Sequence, residues 1–259
     1  MRKAHGNEDN VSEEYIQLTI DSTPVSVPKG TTLLDAAKDA GIDIPVLCYF
    51  AHTTANGLCR LCVVEVEGVR LLQAACVTQA QDGAVVYTRS PKVERARRTI
   101  LEMLASTADI SESPELQDMV VEYESRPERF DGGKKRRPEI IDDNPVYIRD
   151  YSQCVMCWRC VQVCADDVQY TYALGFDGRG FNTQIATFFD RPLTETTCVF
   201  CGNCVGVCPT GALKAKREHL LEQGVAPEKI FELTRLQGKS KRSRGGPHLD
   251  RQYQTIERG

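Results

Sequence analysis

Alternating apolar and polar side chains near the start of the chain predict a β-hairpin. In residues 15–20, YIQLTI, the even-numbered positions are apolar and most of the positions between them are polar, which is the period of a half-buried strand. The same alternation resumes in residues 25–27 after a short turn, so we predict two antiparallel strands. Residues 1–13 lack any such pattern, and we predict that they form a disordered lead.

A helix and further short strands are predicted after the hairpin. Residues 33–40, LLDAAKDA, suit a helix that Thr31 or Thr32 caps and that Gly41 ends. Apolar, β-rich segments bounded by turn signals then predict strands at Val63–Val66, 71–77 and Val85–Tyr87. These elements make an α+β domain, which we place at residues 14–89.

A helical connector is predicted next, over residues 90–145. Ser90 and Pro91 are a favoured N-cap and first helical residue. One face of this helix is apolar and carries Val93, Ala96, Ile100, Leu101 and Leu104. Residues 106–125 are polar and weakly patterned, and residues 126–144 contain KKRR and a Gly-Gly pair. We interpret the latter stretch as a linker or a solvated surface loop.

An internal repeat carries the strongest chemical signal of the sequence. CVMCWRCVQVC (154–164) and CVFCGNCVGVC (198–208) both have the spacing C-x2-C-x2-C-x3-C. In two-cluster ferredoxins, the fourth cysteine of such a run ligates the other cluster. This rule predicts two interlocked [4Fe–4S] sites in a domain at residues 146–217. The first site has Cys154, Cys157, Cys160 and Cys208, and the second has Cys198, Cys201, Cys204 and Cys164.

A separate cysteine quartet lies in the first domain and predicts a [2Fe–2S] cluster. Its members are Cys48, Cys59, Cys62 and Cys76, spaced C-x10-C-x2-C-x13-C. Plant-type ferredoxins use a shorter first gap and a more distant fourth cysteine. The setting, with a helix before the first cysteine and a loop running into a strand, favours the cluster. Gly57 would let the backbone approach inorganic sulfide.

Zinc sites and disulfides are the alternative uses of these twelve cysteines. Structural zinc sites usually pair two short cysteine knuckles across a longer loop, whereas each repeat packs four cysteines into eleven residues. Disulfides are rare in reducing compartments. Zinc is a stronger alternative for the quartet of the first domain than for the repeats.

Composition and charge limit where in the cell the protein could act and which partners it could bind. The 259 residues contain no apolar run of the roughly 18 residues that span a bilayer, and the polar N-terminus lacks a secretory pattern. We therefore expect a cytoplasmic protein without direct membrane insertion. Twelve thiolates and three oxidised cores of about +2 would change the formal net charge from −4 to roughly −10. Such a charge argues against nucleic acid as a partner. Residues 218–259 are predicted to form a tail that faces a partner or is disordered.

No catalytic residue is predicted in this chain. The sequence has no Gly-rich nucleotide motif after a strand, no P-loop and no legible nucleophile–base pair. An electron carrier is the leading interpretation, with no cofactor beyond the clusters. The alternative class is a cluster-based redox sensor or a zinc-stabilised scaffold, although no output domain is visible.

Residues 14–217 resemble the N-terminal module of the large iron–sulfur subunit of respiratory NADH dehydrogenase. The strand–strand–helix pattern and the three cysteine quartets carry this resemblance. The same module occurs in NAD-reducing hydrogenases and NAD-dependent formate dehydrogenases. The resemblance implies a β-grasp [2Fe–2S] ferredoxin domain, a helical connector and a bacterial-type two-[4Fe–4S] ferredoxin domain. The Gly-rich insert and second repeat, residues 173–213, are most similar to the formate dehydrogenases.

The resemblance also implies a role and partners. It implies an electron-transfer subunit between a flavin (FMN) subunit that binds NADH and a separate molybdopterin formate dehydrogenase or hydrogenase subunit. We expect the catalytic subunit to be a separate chain because nothing after Arg217 could supply it. The small diaphorase subunit of an NAD-reducing hydrogenase or a part of an NADH:quinone-type complex is the alternative. By analogy, the [2Fe–2S] centre would lie nearer the flavin subunit.

Two departures from the family pattern are visible. Relatives often carry a further [4Fe–4S] cluster held by one histidine and three cysteines, but residues 102–120 contain neither residue type. We therefore expect that cluster to be missing. Trp158 stands where relatives commonly have glycine, which places a large ring beside the first repeat.

Overall fold

The computed structural model describes residues 14–136 and 138–235. The predicted disordered lead and most of the predicted tail lie outside these residues.

The first domain is a five-stranded sheet with one helix against it. Its elements are β1 (Tyr15–Ile20), β2 (Thr23–Pro28), α1 (Leu33–Asp39), β3 (Val63–Val66), β4 (Gln73–Ala74) and β5 (Val85–Tyr87). The strand order is β2-β1-β5-β3-β4, with β1 antiparallel to β2 and parallel to β5. The Thr32 hydroxyl caps α1 by accepting a hydrogen bond from the Asp35 amide at 3.1 Å. The predicted α+β architecture of the first domain is thereby confirmed.

The strand predicted at residues 71–77 is much shorter in the structure. It is restricted to β4 because the chain turns at Ala74, whose carbonyl accepts from the Val77 and Thr78 amides at 3.2 and 3.1 Å. This turn carries Cys76 into the domain interior, where it is buried.

The connector consists of two helices, α2 (Pro91–Thr107) and α3 (Pro114–Glu122). As predicted, Ser90 caps α2, since its hydroxyl accepts from the Val93 amide at 3.3 Å. The sequence did not predict α3, whose nine residues bury only Leu116 completely and so show little periodicity. The buried side of α2 also contains two charged residues, Arg97 and Glu102.

The second domain is built from short elements around the two repeats. They are β6 (Tyr147–Arg149), α4 (Arg159–Cys164), β7 (Gly175–Asp177), β8 (Gln184–Ala186), α5 (Asn203–Gly206), β9 (Leu213–Ala215), α6 (Lys216–Glu222) and α7 (Pro227–Thr234). The strands form two antiparallel pairs, β6 with β9 and β7 with β8. The pair β7–β8 is a hairpin within the Gly-rich insert.

Residues 218–234, the first part of the predicted tail, are largely helical. In α7, Ile230 is buried and the Thr234 hydroxyl accepts from Arg217 Nε at 3.0 Å. The Arg217 guanidinium also lies 5.1 Å from the centre of the Phe231 ring. These contacts across α6 and α7 hold the two helices together. Within residues 14–136 and 138–235, no helix has the length and apolar character needed to cross a membrane.

Candidate metal centres

Three separate segments bring the first quartet together inside the first domain. Cys48 follows α1, Cys59 and Cys62 lie in the loop before β3, and Cys76 follows β4. The four sulfurs form two pairs. Cys62 Sγ lies 3.4 Å from Cys76 Sγ. Cys48 and Cys59 each donate their amide N–H to the other's sulfur, both at 3.4 Å.

In each pair, the hydrogen bond between the two side chains favours the loss of one proton. A hydrogen bond with the Cys48 side chain lowers the pKa of Cys59 to about 6. A hydrogen bond with the Cys76 side chain lowers the pKa of Cys62 to about 7. The same bonds raise the pKa of Cys48 and of Cys76. The thiolate is the form of cysteine that binds a metal. Two sulfur pairs suit two metal atoms, which is the composition of a four-cysteine [2Fe–2S] centre.

Backbone amides and a glycine shape the loop around this quartet. The Leu61 amide donates to Cys59 Sγ at 3.4 Å, the kind of N–H···S contact that tunes a cluster's potential. Gly57 has a φ of +60°, and a Cβ there would lie 3.1 Å from Val77 Cγ2. The left-handed backbone and this close approach together explain why a glycine occupies the position.

The two repeats of the second domain fold alike. The Met156 amide donates to Cys154 Sγ and the Phe200 amide donates to Cys198 Sγ, both at 3.4 Å. The helices α4 and α5 then begin after Trp158 and Gly202, which both have a positive φ. The equal spacing of the cysteines in the two repeats therefore produces two loops with the same hydrogen bonds and the same backbone conformation.

The last cysteine of each repeat lies near cysteines of the other repeat, and Cys164 lines one cavity with Cys198, Cys201 and Cys204. Burial raises the pKa of Cys157 to about 12 and that of Cys160 well above its usual value, and the charge of Cys208 raises both further. Burial likewise raises the pKa of Cys204 to about 12, and the charge of Cys164 adds more to this increase than the charges of Cys198 and Cys201. Cys154 also has Cys208 as a charged neighbour, and Cys198 has Cys164. The interlocked assignment of the eight ligands stays a prediction.

The residues present fit iron–sulfur clusters. All twelve cysteines are free, and thiolates are the soft ligands that such clusters use. The cysteines of the second set line one cavity, whose apolar walls include Leu174, Leu193 and Leu213. Thiols with a pKa raised by burial would release their protons when a metal binds.

The first domain contacts the second through the loop that separates Cys48 from Cys59. The Thr54 amide and hydroxyl both donate to the Asp167 carboxylate at 2.8 Å. Gln162 of α4 donates to the Thr54 carbonyl at 2.7 Å, and Arg159 of α4 donates to the Tyr49 carbonyl at 2.6 Å. The helix that these bonds hold also carries Cys160 and Cys164.

An apolar contact supplements these hydrogen bonds. Val155, within the first repeat, packs against a buried cluster that includes Leu47 and Leu61, and Cys59 packs against the same cluster. The first repeat is therefore the one that faces the quartet of the first domain.

One charged neighbour of the first repeat escaped the sequence analysis. Arg136 belongs to the basic run interpreted as a solvated loop, yet it is half-buried and lines a cavity with Cys154. Its charge acts to lower the pKa of Cys154, against the larger effect of burial. Arg136 also donates to the Thr183 carbonyl in the insert. No local signal links these residues, because the loop and the insert are far apart in the sequence.

Known proteins match both domains. Residues 13–91 match the family model of a 2Fe-2S iron–sulfur cluster binding domain, and residues 145–214 match that of the ferredoxin-like domain of NADH-quinone oxidoreductase subunit 3. The NADP-reducing hydrogenase subunit HndD of Solidesulfovibrio fructosivorans is 41% identical over 80% of this chain and 37% of its own length. The mitochondrial NADH-ubiquinone oxidoreductase 78 kDa subunit of Neurospora crassa is 35% identical over 78% of this chain and 28% of its own length.

These curated relatives are longer proteins, of which the chain spans between a little over a quarter and a little over a third. A solved structure matches over most of both chains. It is a chain of an NAD+-reducing [NiFe]-hydrogenase in the H2-reduced state, with a TM-score of 0.69 and 31% identity. The match covers 78% of this chain and 87% of that one. The chain therefore belongs to the family of iron–sulfur electron-transfer subunits of NAD(P)-linked hydrogenases and NADH-quinone oxidoreductases.

Proposed function

We propose that this chain relays electrons between an FMN-containing subunit that handles NADH and a separate catalytic subunit. It would do so through one [2Fe–2S] and two [4Fe–4S] clusters held by the three cysteine sets described above. The grouping of twelve free cysteines into three sets of four carries this proposal. When bound, the clusters supply one-electron redox chemistry.

The protein's own residues would bind the clusters, orient them and shield them from water. Cys48, Cys59, Cys62 and Cys76 would hold the [2Fe–2S] cluster, and the Leu61 amide would stabilise the charge on sulfur. The apolar walls of the second repeat's cavity would exclude water from a [4Fe–4S] cluster. Contacts between Thr54, Asp167 and Gln162 would hold the [2Fe–2S] loop at a constant distance from α4.

The proposal also concerns the identity of the catalytic subunit, for which there are two candidates. Similarity of the insert, residues 173–213, to formate dehydrogenases favours a molybdopterin formate dehydrogenase. A hydrogenase is the second candidate, and the similarity to a chain of an NAD+-reducing [NiFe]-hydrogenase supports it. In either complex the chain would act in the cytoplasm, where thiols stay reduced.

Metal and sulfide analysis of the protein purified without oxygen tests the electron carrier. We expect about ten iron atoms per chain and an equal amount of acid-labile sulfide. Zinc without sulfide would support a scaffold and would contradict the proposal. For the partner, the native complex should be purified through a tag on this chain. Molybdenum and formate-dependent NAD+ reduction would support formate dehydrogenase, whereas nickel and hydrogen-dependent reduction would support hydrogenase.

A further inference from the structure

Arg97 of α2 is buried between the connector and the segment of the first domain that carries Cys62. Its side chain is 1% exposed. Nε donates to the Leu61 carbonyl at 3.1 Å, and Nη2 donates to the Val63 carbonyl at 2.9 Å. Nη1 donates to the Tyr123 hydroxyl at 3.0 Å. Leu61 and Val63 are the two neighbours of Cys62 in the chain. The guanidinium therefore binds the backbone on both sides of a cysteine of the quartet.

The positive charge of Arg97 has no carboxylate partner among the residues that the structure describes. None of the ion pairs there includes it. Glu102, also on α2 and 0% exposed, is paired instead with Arg129 at 2.7 Å and with the Arg126 amide at 3.1 Å. An arginine stays protonated in proteins, and burying an uncompensated charge is costly. Neutral carbonyl and hydroxyl oxygens offset that cost only in part.

A cluster at the adjacent quartet would be the missing anion. Four thiolates around a [2Fe–2S] core give a net charge of about −2 when oxidised and about −3 when reduced. A nearby buried cation stabilises the more negative state more strongly, because the interaction is Coulombic and weakly screened in the interior. Reduction by one electron is therefore favoured by this cation.

We propose that Arg97 is the buried counter-charge of the [2Fe–2S] site, fixing the backbone around Cys62 and raising the cluster's reduction potential. This inference rests on the proposed function, since it requires the cluster. Arg97 is a positioning residue: it touches the backbone that presents Cys62 and acts on the cluster through charge.

The next residue of α2 is a matched control. Arg98 carries the same charge and donates to the Tyr123 carbonyl at 2.8 Å, but its side chain is 38% exposed and lies 3.9 Å from Glu124. Solvent and this carboxylate screen its charge. Replacing Arg98 therefore removes an arginine from the same helix without removing the buried charge.

The test compares the full-length variants Arg97→Gln, Arg97→Lys and Arg98→Gln with the unchanged protein. Each is titrated anaerobically with dithionite while electron paramagnetic resonance reports the reduced [2Fe–2S] centre. At a given potential, Arg97→Gln should lower the ratio of reduced to oxidised cluster about tenfold, which is a shift of 59 mV to more negative potential for one electron. Arg97→Lys, which keeps the charge, should restore most of that ratio. Arg98→Gln should leave it unchanged.

Each outcome of the titration either supports or contradicts the role of Arg97. An Arg97→Gln protein that retains the [2Fe–2S] signal at the original potential overturns the inference. If Arg97→Gln cannot hold the cluster, the Arg97→Lys variant decides the question. A lysine variant that keeps the cluster at the original potential supports a role of the charge. Loss of the cluster in both variants overturns that role and shows that only the hydrogen-bond geometry of the guanidinium matters. Absence of a [2Fe–2S] signal in the unchanged protein would instead contradict the proposed function.

Discussion

Trp158 and Gly202 have the same left-handed backbone conformation at equivalent positions of the two cysteine repeats, with φ values of 72° and 84°. Each residue directly precedes the helix that carries the third cysteine of its repeat. The conformation is strained for any residue with a Cβ, which explains why glycine is favoured there. At Trp158 the indole ring packs 4.6 Å from the Phe176 ring of the insert, a contact that offsets the strain.

This relationship predicts opposite effects of two alanine substitutions in α5 and its cap. Gly202→Ala should lower the free energy of unfolding by about 1 kcal/mol, because of its left-handed backbone. A Cβ there would meet only the Tyr147 hydroxyl, at 3.5 Å, so sterics add little. Gly206→Ala is the control, since Gly206 is the last residue of α5 and a Cβ there would meet open space. It should raise the free energy by about 0.5 kcal/mol. Denaturant unfolding of both variants gives the comparison, and equal effects would contradict it.

The interlocked cysteine sets predict which cluster each substitution damages. Cys208→Ser should damage the cluster of Cys154, Cys157 and Cys160 more than that of its own repeat, because Cys208 is the charged neighbour of the other three. Iron content and paramagnetic resonance of the reduced variant measure the loss.

Cys164→Ser provides the reciprocal control. It should damage the cluster of Cys198, Cys201 and Cys204 instead. A loss confined to the repeat that carries the substituted cysteine would show that each repeat holds its own cluster.

The connector predicts that this chain lacks a fourth cluster. Residues 102–120 contain no histidine or cysteine, and the structure fills this region with the end of α2 and with α3. The reduced protein should therefore show three interacting paramagnetic centres. An iron content near fourteen atoms per chain, rather than about ten, would contradict this expectation.

The contact between Thr54 and Asp167 predicts a variant that slows internal electron transfer without losing a cluster. Asp167→Ala removes the acceptor of two hydrogen bonds and should weaken the contact by about 1 kcal/mol, since the site is exposed. Flash reduction followed by optical spectroscopy should then show severalfold slower exchange between the [2Fe–2S] and first [4Fe–4S] centres.

The neighbouring Asp166→Ala is the matched control for this experiment. Asp166 accepts a hydrogen bond from Tyr172, on its own side of the domain contact. Its removal should leave the exchange rate unchanged. Equal slowing in both variants would show that the contact at Asp167 does not set the distance between the centres.

Much of the fold was predictable because its signals are local. The alternation in residues 15–20 and 25–27 predicted β1 and β2, and the Ser90–Pro91 pair predicted the start of α2. The repeated cysteine spacing predicted two similar loops, and the structure contains them. Such patterns depend only on neighbours within a few residues, so the sequence displays them directly.

Tertiary structure decided the features that depend on partners distant in the chain. The pairing of Cys62 with Cys76 depends on a turn after β4, and the helix α3 is stabilised by packing that its own periodicity hardly shows. The apolar stripe of α2 predicted a buried face, but it did not predict that Arg97 would be buried there. A charge can be buried only where distant backbone or side-chain groups meet it, and chain folding alone brings those groups together.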